Sequence, residues 1–527
     1  VRHLVVCCDG TWQTAVSDSN VVRLRDALVE ETGQGVPQLH RYVAGVGTAG
    51  TVAARLIGAA TGFGLSANVR TAYRLLAEVY QPGDLIALFG FSRGAYTARS
   101  LAGMIACCGL LDPPGSDDVD GQVQRVYRHY RNRDQPSEDP AWADGLSFHV
   151  DADAAELPVR FIGVWDTVGS LGIPDGVRWW GQFDPADYQF HDVALDPRIR
   201  YARHAIALDE QRGPFSPTRW SAPAPGQDIQ EVWFPGEHLD VGGGGLVRGL
   251  SDGALRWMMD EAQATIGLEF DPAIRDRYRP DPLVARPAVL RVADRIEHGL
   301  ADGVLRPWPR TIPRIDAAAR RRDVHESAYL RQADPDLPGG PYRPTTTPTD
   351  GASATVRVPA DTGWVATGLW LEPGEYAFAA DGAWGAPLTT AGPGGVNRVL
   401  SVGRLVSSAL DRAAGLFRRL VRNPAAAVPG ALREPELPWL SLVGYVANEE
   451  RDHKGTIVAA DERIPIGAGT TRVIHRPGYL YAFANAAWGS YVTHRGAIEL
   501  SVRRIGAAPA DRAGESDHAP GTPDPVR

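Results

Sequence analysis

Asp84-Leu-Ile-Ala-Leu-Phe-Gly90-Phe91-Ser92-Arg93-Gly94-Ala95 is the stretch on which the reading of this chain turns. Leu85–Phe89 is a short, wholly apolar run, the pattern of a strand buried on both faces, and the spacing predicts a helix over Tyr96–Cys108. Between them stands Gly-x-Ser-x-Gly. In a strand-to-helix turn of this kind the serine is pushed outward, and the glycines two residues to either side let backbone pass where a Cβ would collide. The positive end of the helix then faces any negative charge that develops beside Ser92. Ser92 is therefore the candidate nucleophile, and the backbone N–H of Arg93 a candidate donor to an oxyanion.

A serine hydroxyl attacks poorly without a base, and the base needs an acid to orient it. The chain order expected for such a site is serine, acid, histidine, each at the tip of a strand. Working outward from Ser92, further strands are predicted at Leu4–Cys8, Leu39–Val43, Val159–Val164 and Ile229–Phe234, and a helix over Asn68–Tyr80. Val159–Val164 runs into Trp165-Asp166-Thr167, and Ile229–Phe234 runs into Pro235-Gly-Glu-His238-Leu-Asp240. Asp166 and His238 are thus the candidate acid and base. His204 and His325 are rivals for the base, and Asp240 and the pair Asp209-Glu210 for the acid. After the first strand, Gly10 and Thr11 offer the other backbone donors of an oxyanion hole.

Two resemblances of pattern are set aside. Asp9-Gly10-Thr11 lacks the second aspartate that an aspartyl-phosphatase loop requires. Gly45-Val-Gly47-Thr-Ala-Gly50 matches a dinucleotide fingerprint, but no second strand ending in an acid follows at the right distance.

Alternation of short strands with helical patterns from Val1 to Arg331 predicts an α/β domain with a largely parallel sheet. Asp112–Asp153, polar and broken by Pro and Gly, is expected to fold as an insertion over the sheet's functional edge. Residues 332–352 read as a linker. Beyond them 353–506 alternates with period two between turn residues, as in Thr355–Val358, Glu375–Ala379 and Ile498–Val502, and predicts an antiparallel β-sandwich. Residues 507–527 are expected to be disordered. At about 397–424 the β pattern gives way to a basic amphipathic helix. Leu405, Leu410 and Phe417 lie on its apolar face and Arg418, Arg419 and Arg422 on the remainder, making it a candidate membrane-surface or partner contact.

The length of 527 residues exceeds one core, in keeping with two domains. A net charge of −9 argues against a general nucleic-acid binder. Cys7-Cys8 and Cys107-Cys108 stand in apolar runs and read as buried small hydrophobes, with no metal site and no disulfide framework. A reducing, cytoplasmic setting follows, with leaderless export as an alternative. No span of 18 apolar residues is present, and no cofactor is called for.

The motifs Cys8-Asp9-Gly10-Thr11-Trp12, Asn20-Val21-Val22-Arg23, Gly45–Thr48, Gly90–Ala95, Gly163-Val-Trp-Asp166-Thr-Val168 and Pro235–Gly244 together resemble a bacterial and fungal family of α/β-hydrolase domains. Its best-understood relatives are type VI secretion phospholipase effectors. The resemblance covers Arg2 to Leu330 and implies an α/β-hydrolase fold with helices on both faces of the sheet. It also implies a Ser92–Asp166–His238 triad and an ester substrate, with a phospholipid or a small soluble ester as the alternatives.

The C-terminal half is similar to the galactophilic PA-I-like lectin sandwich in Thr362–Gly368, Leu371–Tyr376 and Tyr479–Gly496. Ala486, Thr493 and His494 stand where that family has calcium ligands. Calcium-dependent sugar binding is therefore not expected. A non-catalytic carbohydrate- or surface-binding protein on a hydrolase scaffold is the contrasting reading.

Overall fold

The computed structural model describes residues 1–10, 13–14, 16–45, 65–113, 115–133, 141–168, 194–212, 215–285, 307–338, 340–387, 389–396, 432–451, 457–487 and 490–507. The basic helix expected at 397–424, with Leu405, Leu410, Phe417, Arg418, Arg419 and Arg422, lies outside these residues, as do Thr11 and the tail from 508.

Period-two alternation builds the first layer. In β1 (His3–Cys8) Leu4, Val6 and Cys8 face one helical layer, and Val5 and Cys7 face the other. β2 (Gln38–Val43) and β3 (Leu85–Phe91) flank it. A small antiparallel pair, β4 (Leu110–Leu111) with β5 (Phe148–Val150), intervenes before β6 (Val159–Trp165), β7 (Tyr201–Ala207) and β8 (Asp228–Phe234). The sheet runs β2-β1-β3-β6-β7-β8 with every pair parallel. Among the helices, α1 (Asn20–Ala27) packs on one face. α2 (Leu65–Val79), α3 (Arg93–Cys108) and α4 (Val119–Arg131) pack on the other. After β8 come the one-turn α5 (His238–Gly242) and the long α6 (Gly249–Ile266), the latter against the α1 face. Strand order reverses between β1 and β3, so the loops leaving their carboxyl ends open a crevice there, the place where such sheets bind ligands.

Three expectations need correction. β7 is a central strand that hydrophobicity alone hides, because Arg203 and His204 sit in its middle. Both are buried and paired: Arg203 bonds Asp228 and Glu261, and His204 meets Glu231 at 3.2 Å. The insertion Asp112–Asp153 does not cross the functional edge in its described part. Its helix α4 lies along α2 and α3, with Tyr127 bonded to Ser66 and Cys108 Sγ directed at the Val126 carbonyl. Cys107, finally, is only half-buried, and its sulfur, that of Cys108 and a ring nitrogen of His129 lie within 4.8 Å of one another.

The second domain is a pair of five-stranded antiparallel sheets. One contains β9 (Ser353–Pro359), β11 (Gly374–Ala386), β12 (Thr389–Ala391), β18 (Gly469–Ile474) and β20 (Arg495–Gly506). The other contains β10 (Val365–Leu371), β13 (Gly394–Val396), β14 (Trp439–Ala447), β17 (Glu462–Pro465) and β19 (Gly478–Ala484). A short ribbon of Glu450–Arg451 with Ile457–Ala459 stands apart. Leu480, Ala482 and Ala484 of β19 face the sandwich core, whereas Tyr479, Tyr481 and Phe483 pack with Ile206, Leu208 and Trp233 of the first domain. β19 is therefore apolar on both faces, which explains its unbroken run of buried residues. The segment between the domains is tied to both: Arg343 and Tyr342 bond Asp209, and Thr345 bonds Tyr479. No helix among the described residues is long and apolar enough to cross a membrane.

Candidate active site

Ser92 sits between β3 and α3 with φ 57° and ψ −121°. Among the described residues only Ser92, Asp166, Arg343 and Leu440 hold positive φ without being glycine. Such strain costs about 1–3 kcal/mol apiece and persists where the surroundings over-determine it. Here they do. A Cβ on Gly94 would strike the carbonyl of Cys8, and one on Gly90 would come within 2.5 Å of the Gly94 carbonyl, so β1, β3 and α3 close tightly around the turn. The Ser92 N–H donates to Trp165 O at 3.0 Å, tying this turn to the next strand end.

Asp166 occupies that strand end, at the tip of β6, and is fully buried. Its N–H donates to Ala205 O (2.7 Å) and its Oδ1 accepts from Ala207 N–H (3.0 Å), so β7 fixes its orientation. Oδ2 lies 2.7 Å from Nδ1 of His238. Arg310 adds a fork, Nη1 to Oδ1 at 2.8 Å and Nη2 to Oδ2 at 3.0 Å. Burial would push the carboxyl up, but the guanidinium of Arg310 and the imidazole of His238 outweigh it and hold Asp166 well below the usual carboxylate range. An ionised Asp166 accepts from Nδ1–H and leaves Nε2 as the basic nitrogen.

His238 opens α5 just beyond β8. Gly236, at φ 106°, makes the turn, and its N–H is held by Asp209 at 2.6 Å. Asp240 caps the helix through the Glu237 N–H, and Glu210 accepts the His238 N–H at 3.4 Å. Burial tends to raise the Glu210 carboxyl, yet its bonds to Arg212 bring it down to about 2. The three rival acids thus shape the loop that carries the histidine. The ring of Phe91, the residue before Ser92, lies 4.6 Å from the imidazole, and that of Phe215 lies 4.9 Å away edge-on. A Cβ on Gly242 would fall inside the Phe91 ring. Burial in this apolar setting lowers the His238 pKa, only partly offset by Asp166.

The rival histidines are engaged elsewhere. His204 accepts from Thr167 N–H at 3.0 Å and faces Glu231, and His325 caps α7 (Glu326–Ala333) while stacking on Phe234. Of the expected oxyanion donors, Arg93 is the first residue of α3, at its positive end. Burial lowers its guanidinium to about 10, which leaves it charged at neutral pH. The Gly10 N–H is turned to Oδ1 of its neighbour Asp9 at 2.7 Å, and a Cβ there would stand 3.4 Å from that of Ser92. Arg310 was not anticipated. Nothing in Trp308-Pro-Arg310-Thr-Ile marks it in sequence, because its partner is 144 residues away.

Residues 2–261 match the family described as type VI secretion phospholipase effector Tle1-like, catalytic domain. The Tle1-like region takes in Ser92, Asp166 and His238 and ends within α6, leaving Arg310 outside it. A curated relative, the uncharacterized protein YEL023C of Saccharomyces cerevisiae, is 29% identical over 232 residues. That match covers 41% of this chain and 32% of the yeast protein, so the chain spans about a third of its relative's length.

Solved structures with detectable likeness include an uncharacterized protein from Pseudomonas aeruginosa (19% identity, TM-score 0.29, 57% of this chain and 53% of that one). Another is the EclA N-terminal domain, a PllA-like lectin (17%, TM-score 0.17, 28% and 94%). A third is the metagenomic carboxyl esterase MGS0156 (12%, TM-score 0.23, 46% and 65%).

Proposed function

We propose that this chain is a serine hydrolase that cleaves carboxylic esters of phospholipids through an acyl-enzyme on Ser92. The observation that carries the reading is the 2.7 Å hydrogen bond between Asp166 and His238 at the strand edge that also bears the strained Ser92. Ser92 Oγ attacks the ester carbonyl as His238 Nε2 takes its proton. Asp166 stabilises the imidazolium that results, and the amide of Arg93 and the positive end of α3 face the oxyanion. His238 returns the proton to the leaving alcohol, then activates a water to release the fatty acid. The Tle1-like match of residues 2–261 supports a lipid substrate. The basic segment 405–422 is the proposed membrane contact; its deletion is expected to abolish activity on vesicles and spare a short soluble ester.

The test is labelling by a fluorophosphonate together with fatty acid release from mixed phospholipid vesicles, for the intact protein, Ser92→Ala and His238→Ala. Labelling lost in Ser92→Ala, with release falling on the order of 10⁶-fold in both variants, is expected. Labelling without release would move the substrate to a small soluble ester. An intact protein that does not label would favour the non-catalytic binding protein.

A further inference from the structure

Arg310 belongs to a strap, 307–315, that lies between the first domain and the sandwich. Its two ends are held by the sandwich. At the near end Trp364 Nε1 donates to the Pro307 carbonyl at 2.7 Å, and Trp308 Nε1 donates to Asp461 at 2.6 Å. The Trp308 ring meets those of Trp364 and Tyr445 edge-on at 5.1 and 5.3 Å. At the far end the Ile315 N–H donates to the Tyr479 hydroxyl at 2.8 Å, and Ile312 and Ile315 are buried in the interface.

Between these anchors Arg310 turns the other way, into the catalytic domain. It is 7% exposed. Besides Asp166 it donates to the carbonyls of Ala207 and Phe215, and Phe215 is the residue whose ring abuts His238. One guanidinium therefore fixes the acid, the end of β7 and a wall of the histidine's pocket, while the strap that carries it is held by the second domain as well as by Gln211 and Arg212, whose backbone pairs with Trp308 and Pro307.

We propose that Arg310 is a positioning residue for the Asp166–His238 pair and that the β-sandwich, by clamping the strap at Trp308 and Ile315, is a working part of the catalytic unit. The proposal rests on the reading of Ser92, Asp166 and His238 as the triad. A bidentate fork holds a carboxylate in one plane, which a single ammonium cannot do. It also shares the carboxylate's charge with the imidazolium. The imidazole faces Glu210 and Arg212, whose opposite charges lie 2.6 Å apart, and Glu237 precedes it on its own turn. Removing Arg310 takes a positive charge from beside the pair, so protonated His238 becomes easier to form. The acidic limb of the rate profile then moves to higher pH.

The experiment compares the intact protein, Arg310→Ala, Arg310→Lys and Trp308→Phe by the pH dependence of kcat on a soluble aryl ester and of fluorophosphonate labelling, with folding followed by circular dichroism. Ser92→Ala serves as the control. Arg310→Ala is expected to lose on the order of 10²-fold in kcat with little change in KM, and to shift the acidic limb upward. Arg310→Lys should recover the limb but only part of the rate. Trp308→Phe, which keeps an aromatic ring and loses the bond to Asp461, should lower kcat severalfold while leaving every side chain of the first domain's site in place. If Arg310→Ala does not fold, the Lys and Phe variants decide. Labelling through Ser92 with wild-type rate and limb in folded Arg310 variants would overturn the role of Arg310, and a wild-type Trp308→Phe would overturn that of the clamp. Absence of Ser92-dependent labelling in the intact protein would instead remove the triad reading beneath both.

Discussion

At the scale of single residues, the site is built by what cannot be there. Gly94 has no room for a methyl group because the Cys8 carbonyl occupies it, and Gly242 none because of Phe91. Gly94→Ala must push β1 away from α3. We expect it to cost about 1–3 kcal/mol of stability and to abolish labelling of Ser92, measured by urea unfolding and a fluorophosphonate probe. His238 supplies a prediction with a sign. Burial lowers its pKa below the ordinary histidine value, and the base must be neutral to accept the proton. The acidic limb of kcat/KM in the intact protein should therefore lie below pH 6.5, the reference value for a free imidazole. A limb above that value would mean that Asp166 outweighs desolvation.

At the scale of elements, β7 shows which parts of the fold were legible in sequence and which were not. Leu85–Phe89 announces itself because burial on both faces leaves only apolar residues, and Val159–Val164 because Arg160 alone, near its start, interrupts the run. The candidates Ser92, Asp166 and His238 follow, each a few residues or fewer beyond a strand read from the sequence. Tyr201–Ala207 is equally central, yet Arg203 and His204 break its pattern. Only their partners Asp228, Glu261 and Glu231, brought by β8 and α6, make the strand intelligible. Arg310 escaped for the same reason: a side chain paired across the fold leaves no local period. The pair in β7 can be tested. His204→Ala removes one partner of the buried Glu231, which still accepts from Arg219 and the Trp220 N–H, and leaves the Thr167 N–H without its acceptor. Leaving a buried donor unsatisfied costs about 1–3 kcal/mol. Denaturant titration should register that loss, while the surviving folded protein should still label at Ser92, since in the proposed site His238 is the base.

At the scale of the molecule, the two domains share one apolar seam. Trp233, Ile206 and Leu208 from the parallel sheet meet Tyr479, Tyr481 and Phe483 from the sandwich, and Phe483 is fully buried there. Phe483→Ala should lower stability by about 3–5 kcal/mol. Because the seam belongs to both cores, calorimetry of the intact chain should give a single unfolding transition, and the variant a single transition at lower temperature. Two separate transitions would mean that the sandwich folds on its own account and that the seam contributes little.

The seam also bears on how separable the two halves are in practice. β14 and β19 are covered on one face by the opposite sheet of the sandwich and on the other by the first domain, so a sandwich released alone would display a row of tyrosines, tryptophan and phenylalanine to water. A single protease cut within the peptide that joins the halves, near the turn at Gly340, should thus leave them co-eluting on gel filtration as a nicked but intact assembly. Co-expression of the two pieces as independent polypeptides should reconstitute activity by complementation, whereas either piece made alone should aggregate.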